Sequence, residues 1–169
     1  MSDIKAEDME NYSNLEMADL DELNIRYRFD VTDSHKRIFA LAMQGLFEVE
    51  VGNISPSIAA ADVVPGDCPE DMRKAVRQMV EGAAAEVATL DDILRRHLTC
   101  KWTVERLGSV ERNVLRLGIY IISHQVWSSS QHVRDLAANC AAEYSNDKSH
   151  SLVLAILDAV AREQQKQQA

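Results

Sequence analysis

The residues best suited to binding chemistry form a short basic run, His35, Lys36 and Arg37. Lys and Arg side chains neutralise phosphate, and this supplies most of the sequence-independent affinity of a protein for nucleic acid. A pair of basic residues is also ordinary solvated surface in many proteins. The run is therefore a candidate phosphate contact, with plain surface as the alternative.

Three aromatic side chains, Phe47, Trp102 and Tyr120, could stack on unpaired bases. Recognition of single strands typically combines phosphate contacts with bases stacked on aromatic rings or Arg planes. All three, however, lie at helical spacing, which favours packing in a core. We expect core positions for them and keep Phe47 as a candidate contact.

Two arginines one helical turn apart, Arg112 and Arg116, allow either a binding or a structural role. Arg116 sits between apolar neighbours, and a partly buried guanidinium needs an acidic partner. Arg116 is therefore the candidate for a structural ion pair. For Arg112, contact with RNA or a protein partner stays open beside a structural role.

Catalytic and metal chemistry have no support in the sequence. It contains no G-x-S-x-G nucleophile motif, P-loop, dinucleotide fingerprint or HExxH pair. Neither His97 with Cys100 nor His124 with His132 supplies the three or four ligands of a zinc site. The three cysteines are widely spaced and are expected to be small buried residues. The sequence predicts neither an enzyme nor a metal or cofactor.

The charge of the chain is unevenly distributed. The formal net charge is -9, but residues 1–33 hold ten Asp or Glu against three Lys or Arg. We expect an acidic, partly disordered extension over 1–33 and a frayed end over 164–169. The nearly balanced remainder can still present a local basic patch. No apolar run approaches the roughly 20 residues that span a bilayer, and no secretion signal is evident, so we expect a cytoplasmic protein away from membranes.

Apolar residues recur at three- and four-residue steps along most of the chain, and no alternating run suggests a strand. The fold class predicted is all-α. Helices are expected to begin at caps formed by Asp33 or Ser34, by Ser109 and by Ser130. A long helical pattern after Pro69 is expected to break near Thr89.

The central pattern resembles a known family. A set of residues near the middle of the chain resembles the central signature of the N-utilisation substance protein B (NusB) family. These residues are Glu105, Arg106, Leu107, Val110, Glu111, Arg112, Val114, Leu115, Arg116, Leu117 and Tyr120. Segments beginning at Lys36 and at Ser149 resemble the first and last helices of the family. The likeness runs from about Ser34 to Ala161.

This resemblance implies a NusB-like bundle of about six or seven helices over residues 34–163. It also implies a transcription antitermination factor that binds a single-stranded element of the nascent RNA through the basic start of its first helix. The ribosomal protein NusE would bind alongside, and the RNA polymerase elongation complex would be reached indirectly.

Three residues depart from the family pattern, and two of them, Leu154 and Ala155, suggest an alternative together with the brevity of the basic run. Ile121 stands where an acidic residue is common, and Leu154 and Ala155 replace an Asn-Gly pair. These changes favour packing over polar contact. The alternative is a diverged protein-interaction module that has lost strong RNA binding.

Overall fold

The computed structural model describes residues 17–99 and 101–168, with side chains from residue 33 onward. Within these ranges it contains seven α-helices, a short 3-10 helix at Val104–Arg106 and no strand. The α-helices are α1 (Met17–Gly52), α2 (Pro56–Asp62), α3 (Glu70–Ala85), α4 (Val87–His97), α5 (Ser109–Ser123), α6 (Ser130–Tyr144) and α7 (Asp147–Gln168). The predicted all-α class and number of helices are confirmed.

The chain divides into two units, Met1–Arg37 and Ile38–Ala169. In the first unit the described residues are helical from Met17 onward. The disorder expected at the beginning of the extension falls on residues outside the described ranges. The second unit holds the hydrophobic core, whose first member is Ile38. A domain boundary at residue 34 stays a prediction, as does fraying after residue 163, where α7 is helical as far as Gln168.

The helix start expected at Asp33 or Ser34 is wrong. Both residues lie inside α1, which continues without a break from Met17 to Gly52. Asp and Ser favour caps, but they interrupt a helix only weakly. No proline lies between Met17 and Gly52 to end the helix.

Two further boundaries differ from the sequence prediction by a few residues. The break between α3 and α4 falls at Glu86 rather than near Thr89, because Glu86 leaves the helical conformation with φ -113° and ψ 16°. Ser109 is the first residue of α5 rather than its cap. The cap of α6 is Ser129 rather than Ser130, and its side chain accepts a bond from the amide of His132.

Helix α5 lies at the centre of the second unit. Every residue from Asn113 to Ile119 is buried, although a helix at the surface would expose part of each turn. Helices α3, α4, α6 and α7 all pack against it, and α6 and α7 pack extensively on each other. The apolar stripe predicted for this segment is thus core, and around the middle of the helix burial also includes the polar residues Asn113 and Arg116.

Glycines permit two close contacts between helices. A Cβ added at Gly45 of α1 would lie 2.7 Å from Cγ2 of Val80 on α3. One added at Gly118 of α5 would lie 2.7 Å from Cδ1 of Leu157 on α7. The absence of a side chain at these positions sets the spacing of the helix pairs.

The residues that depart from the family pattern have different surroundings. Ile121 is fully buried and Leu154 packs partly buried against the core, as expected. Ala155, which stands at the second position of the family's Asn-Gly pair, is exposed and adds no packing. Cys68 and Cys140 are buried as predicted, whereas Cys100 lies outside the described residues.

Candidate functional site

The basic run lies on α1 in the first unit. Lys36 and Arg37 are both exposed, and His35 is half-buried. Neither Lys36 nor Arg37 forms an ion pair with the side chains of residues 33–99 or 101–168. The carboxylates whose side chains the structure describes therefore leave both charges unpaired.

The three aromatic candidates have different environments. Phe47 is half-buried, and Tyr120 packs partly buried against the core. The core position expected for Trp102 is wrong, because this side chain is 49% exposed. Trp102 precedes the 3-10 helix and lies outside α5, so the helical spacing that suggested burial does not apply to it.

Arg116 is buried in the second unit and pairs with two carboxylates. Its Nε donates to Oδ1 of Asp91 over 2.7 Å, and its Nη2 donates to Oδ2 over 2.8 Å. Its Nη1 donates to Glu50 at the end of α1. The acidic partners that the sequence indicated for Arg116 are therefore present on both α1 and α4.

Arg112 uses its guanidinium donors inside the second unit. Its Nε lies 2.9 Å from Oε2 of Glu50, and its Nη2 also donates to Glu50. Its Nη1 donates to the carbonyl oxygens of Val104 and Leu107 over 3.2 and 2.8 Å. Only 15% of the side chain is exposed. An RNA contact at Arg112 would require several of these bonds to break.

Glu50 joins the two arginines, and its charge is stabilised by them. The hydrogen bond from Arg112 lowers the pKa of Glu50, against the opposing effect of burial. The same bond raises the pKa of Arg112. We call Glu50, Asp91, Arg112 and Arg116 the ionic cluster. Two arginines matched by two carboxylates satisfy the requirement that buried charges be paired.

Sequence reasoning identified neither acidic member of the ionic cluster. Asp91 lies between the core residues Leu90 and Leu94, and this position is the sequence signal of its burial. Glu50 lies at the end of the apolar face of α1, so the sequence indicates its burial less clearly. Which carboxylate meets which arginine depends on how α1, α4 and α5 pack.

A second polar contact joins α5 to the start of α7. Glu111 accepts hydrogen bonds from the hydroxyls of Ser145 and Ser149, and the latter residue is 4% exposed. Burial favours the neutral form of Glu111, but these two bonds lower its pKa overall. The contact is structural, because its acceptor faces donors within the fold.

The paired histidines considered as metal ligands have other partners. Nε2 of His97 lies 2.5 Å from Glu163, and Nε2 of His124 lies 2.6 Å from Glu86. In the described part of the chain, no three or more His, Cys, Asp or Glu side chains are grouped to hold a metal ion. Among the same residues, no helix combines the length and apolar character needed to cross a bilayer.

The central helix, the ionic cluster and Arg37 of the basic run lie in the part of the chain that matches a protein family. The NusB family matches residues 37–162 of the 169. The chain belongs to the NusB family. Its signature residues Arg112 and Arg116 are those that hold the ionic cluster together.

Similar proteins share the name of the NusB family. The chain is 33% identical to the transcription antitermination protein NusB of Geobacillus kaustophilus over 125 residues, which is 74% of this chain and 93% of that protein. It is 35% identical to the NusB of Sorangium cellulosum over 123 residues, or 71% of this chain and 86% of that protein.

Solved structures agree with the fold. The NusB structure from T. maritima superimposes with a TM-score of 0.71 and 26% identity, covering 76% of this chain and 90% of that chain. A structure described as antitermination factors NusB and NusE in complex with dsRNA gives a TM-score of 0.71 at 22% identity, covering 78% and 98%. At that identity the second likeness concerns the fold alone.

Proposed function

We propose that this protein is a transcription antitermination factor that binds an element of the nascent transcript together with NusE. The observation that carries the proposal is membership of the NusB family over residues 37–162, with relatives named as transcription antitermination proteins. The same pair of partners is proposed because a solved structure of this fold is described as NusB and NusE in complex with dsRNA. The RNA polymerase elongation complex is then reached indirectly, and the protein acts in the cytoplasm.

The RNA contact that we propose is the basic run of His35, Lys36 and Arg37. The exposure of Lys36 and Arg37 and the lack of carboxylate partners among residues 33–99 and 101–168 support it. Phe47, which is half-buried, is a candidate for an accompanying contact. We leave Arg112 out of the RNA site because its guanidinium bonds to Glu50 and to two backbone carbonyls.

The action that we propose is binding rather than catalysis. Three carboxylates of the described residues that are not exposed bond to Arg or Ser side chains of the fold: Glu50, Asp91 and Glu111. A general acid or base must instead reach the reacting group of a substrate. These carboxylates are better suited to holding helices together.

The test is a titration of single-stranded and double-stranded forms of an antitermination RNA element with this protein, alone and with NusE, over a salt series. We expect affinity that increases with NusE and decreases with salt. The double variant Lys36→Glu with Arg37→Glu should weaken binding at least about tenfold and reduce the salt slope by about 1.5.

A matched control replaces two exposed lysines outside the basic run, Lys74 and Lys148, by Glu. It changes the net charge equally and should leave affinity within about threefold, because it acts only through the long-range field. Equal weakening by both pairs would remove the basic run from the site. Both variants should keep the helical circular dichroism of the wild type.

The second candidate function is a protein-interaction module without strong RNA binding. It is favoured by the brevity of the basic run and by Leu154 and Ala155 at the family's polar pair. NusE binding without any RNA binding, in either strand form, would support this candidate over the first.

A further inference from the structure

We propose that the loop before α5 is a second RNA contact, in which an unpaired base stacks on Trp102 while Lys101 and Arg106 hold the neighbouring phosphates. The inference rests on the proposed function and extends it to a surface formed entirely within the second unit. We call Lys101, Trp102 and Arg106 the tryptophan loop.

Trp102 is unusually exposed for its size. About half of its side chain, 49%, is accessible to solvent. The nearby apolar residues of the loop, Val104 and Leu107, are buried at 2% and 4% exposure. A single exposed apolar residue is common on protein surfaces, so exposure alone assigns no ligand. The charges around the ring supply the second observation.

The segment around Trp102 is basic in an acidic chain. Residues 95–106 contain four Arg or Lys and one acidic residue, whereas the whole chain has a net charge of -9. Glu105, the acidic residue, pairs with Arg95 over 3.4 Å. Lys101 and Arg106 are exposed, and neither pairs with a carboxylate within the described ranges. Two uncompensated cations therefore flank the exposed ring in the sequence.

Hydrogen bonds fix these groups close together. The Trp102 amide donates to the carbonyl of Thr99 over 2.9 Å, which closes a turn. Nη1 of Arg106 donates over 3.3 Å to the carbonyl of Lys101, the residue before Trp102. The guanidinium is thereby held at the backbone of the residue that precedes Trp102, and the Arg106 side chain as a whole is exposed.

The base of the loop is anchored to the fold. The Arg106 amide donates to Oγ1 of Thr103 over 3.2 Å, and Arg112 of the ionic cluster donates to the carbonyl of Val104. A loop ordered before binding loses less conformational entropy when a ligand arrives. The stacking surface is in place without the ligand.

The surroundings favour RNA over a protein partner. Tryptophan and arginine are also common in protein interfaces, but there they lie in an apolar, desolvated centre. Here the neighbours of Trp102 in the loop are polar and exposed: Lys101, Thr103, Glu105 and Arg106. An exposed ring with two unpaired cations in the same loop matches a base and its phosphates, the combination used for single-strand recognition.

The experiment measures the affinity of a fluorescent single-stranded RNA of about 12 nucleotides carrying the antitermination element. Trp102→Leu, which keeps an apolar side chain but removes the ring, should weaken binding about tenfold. Trp102→Phe should retain most of the affinity, because phenyl rings also stack. Lys101→Gln should reduce the salt slope by about 0.7.

Tyr144→Leu is the matched control, because Tyr144 is an exposed aromatic side chain, 43% accessible, in a segment without this basic excess. It should leave RNA affinity unchanged. A direct readout comes from Trp127→Phe, which leaves Trp102 as the single tryptophan reporter. Its fluorescence should be quenched when single-stranded RNA is added.

The outcomes separate this inference from the proposed function. If Trp102→Leu binds RNA like the wild type while the Lys36 and Arg37 reversal still weakens binding, the inference is overturned and the proposed function stands. If Trp102→Leu weakens NusE binding alone, the loop is a protein contact and the inference is also overturned. A wild-type protein that binds no RNA even with NusE overturns both.

Discussion

At the scale of single residues, the ionic cluster shows how the family signature stabilises the fold. Arg112 and Arg116 reach the same carboxylate, Glu50, from successive turns of α5. Asp91 supplies the second negative charge. The arginines of the signature thus have partners on α1 and α4, and their side chains serve packing before any ligand is present.

Replacement of Glu50 by Gln should therefore destabilise the protein. Both arginines lose their shared counter-charge. Breaking a buried pair in this way costs about 3 to 5 kcal/mol, and because Glu50 is 23% exposed we expect a loss of about 2 to 4 kcal/mol. The measurement is the free energy of unfolding from urea denaturation at neutral pH. Glu81→Gln is the control, since its pair with Arg77 lies on the surface; it should cost less than about 0.5 kcal/mol.

The same pair gives a defined dependence on pH. Because the pKa of Glu50 is lowered in the folded state, its contribution is present at neutral pH. That contribution is lost as the pH decreases through the folded-state pKa, below the usual carboxyl range. The difference in stability between wild type and Glu50→Gln should consequently shrink in acid. A difference that stays constant would contradict the assignment.

The sequence predicted that Arg116 needs an acidic partner, but it did not identify the residues that supply it. The apolar neighbours of Arg116 indicated that it required a carboxylate, which the structure places at Asp91 and Glu50. The sequence could not name them, because they are 25 and 66 residues away. The core position predicted for Trp102 is wrong because the helical spacing of α5 does not continue to residues before its first residue, Ser109.

At the scale of elements, the close approach of α1 and α3 depends on Gly45. Gly45→Ala places a methyl group 2.7 Å from Cγ2 of Val80, a fully buried and stiff β-branched side chain. Overpacking costs about 1 to 3 kcal/mol, and the better helix propensity of Ala returns about 1 kcal/mol. We expect a net loss of about 1 kcal/mol in unfolding free energy, measured by thermal or urea denaturation.

Gly66→Ala is the matched control for that substitution. A Cβ at Gly66 would have no neighbour within 4 Å, so the variant should be neutral or slightly stabilising. A neutral Gly45→Ala would mean that α1 and α3 can separate without cost.

Element boundaries were less predictable than the elements themselves. Periodicity located α3 to α7, because each buries an apolar face. It did not show that α1 passes through Asp33 and Ser34, since both residue types favour caps without enforcing them. The break at Glu86 interrupts the helix for one residue, too short an interruption to alter the apolar period.

At the scale of the whole molecule, net charge is a poor guide to ligand class. The chain carries -9, yet most of the excess lies in residues 1–33, and residues 95–106 are distinctly basic. Phosphate responds to charges within about a Debye length, roughly 10 Å. The local distribution therefore decides whether a transcript can bind.

The enclosure of α5 predicts cooperative unfolding of the second unit. Helices from before and after α5 cover it on every side, so neither group of helices keeps its core when the other leaves. Urea transitions followed by circular dichroism and by tryptophan fluorescence should coincide. Trp127, which packs against the core, reports the second signal. Two separated transitions would contradict this expectation.

The bond from Arg112 to the carbonyl of Val104 connects the buried charges to an exposed ring. A substitution at Glu50 would remove the bonds between Glu50 and Arg112 and so loosen the segment that carries Trp102. The exposed residues of that segment would be unchanged. Under the RNA contact proposed for Trp102, such a variant would bind RNA more weakly than the wild type. A screen for variants that bind RNA weakly should therefore identify substitutions at buried positions as well as at exposed ones.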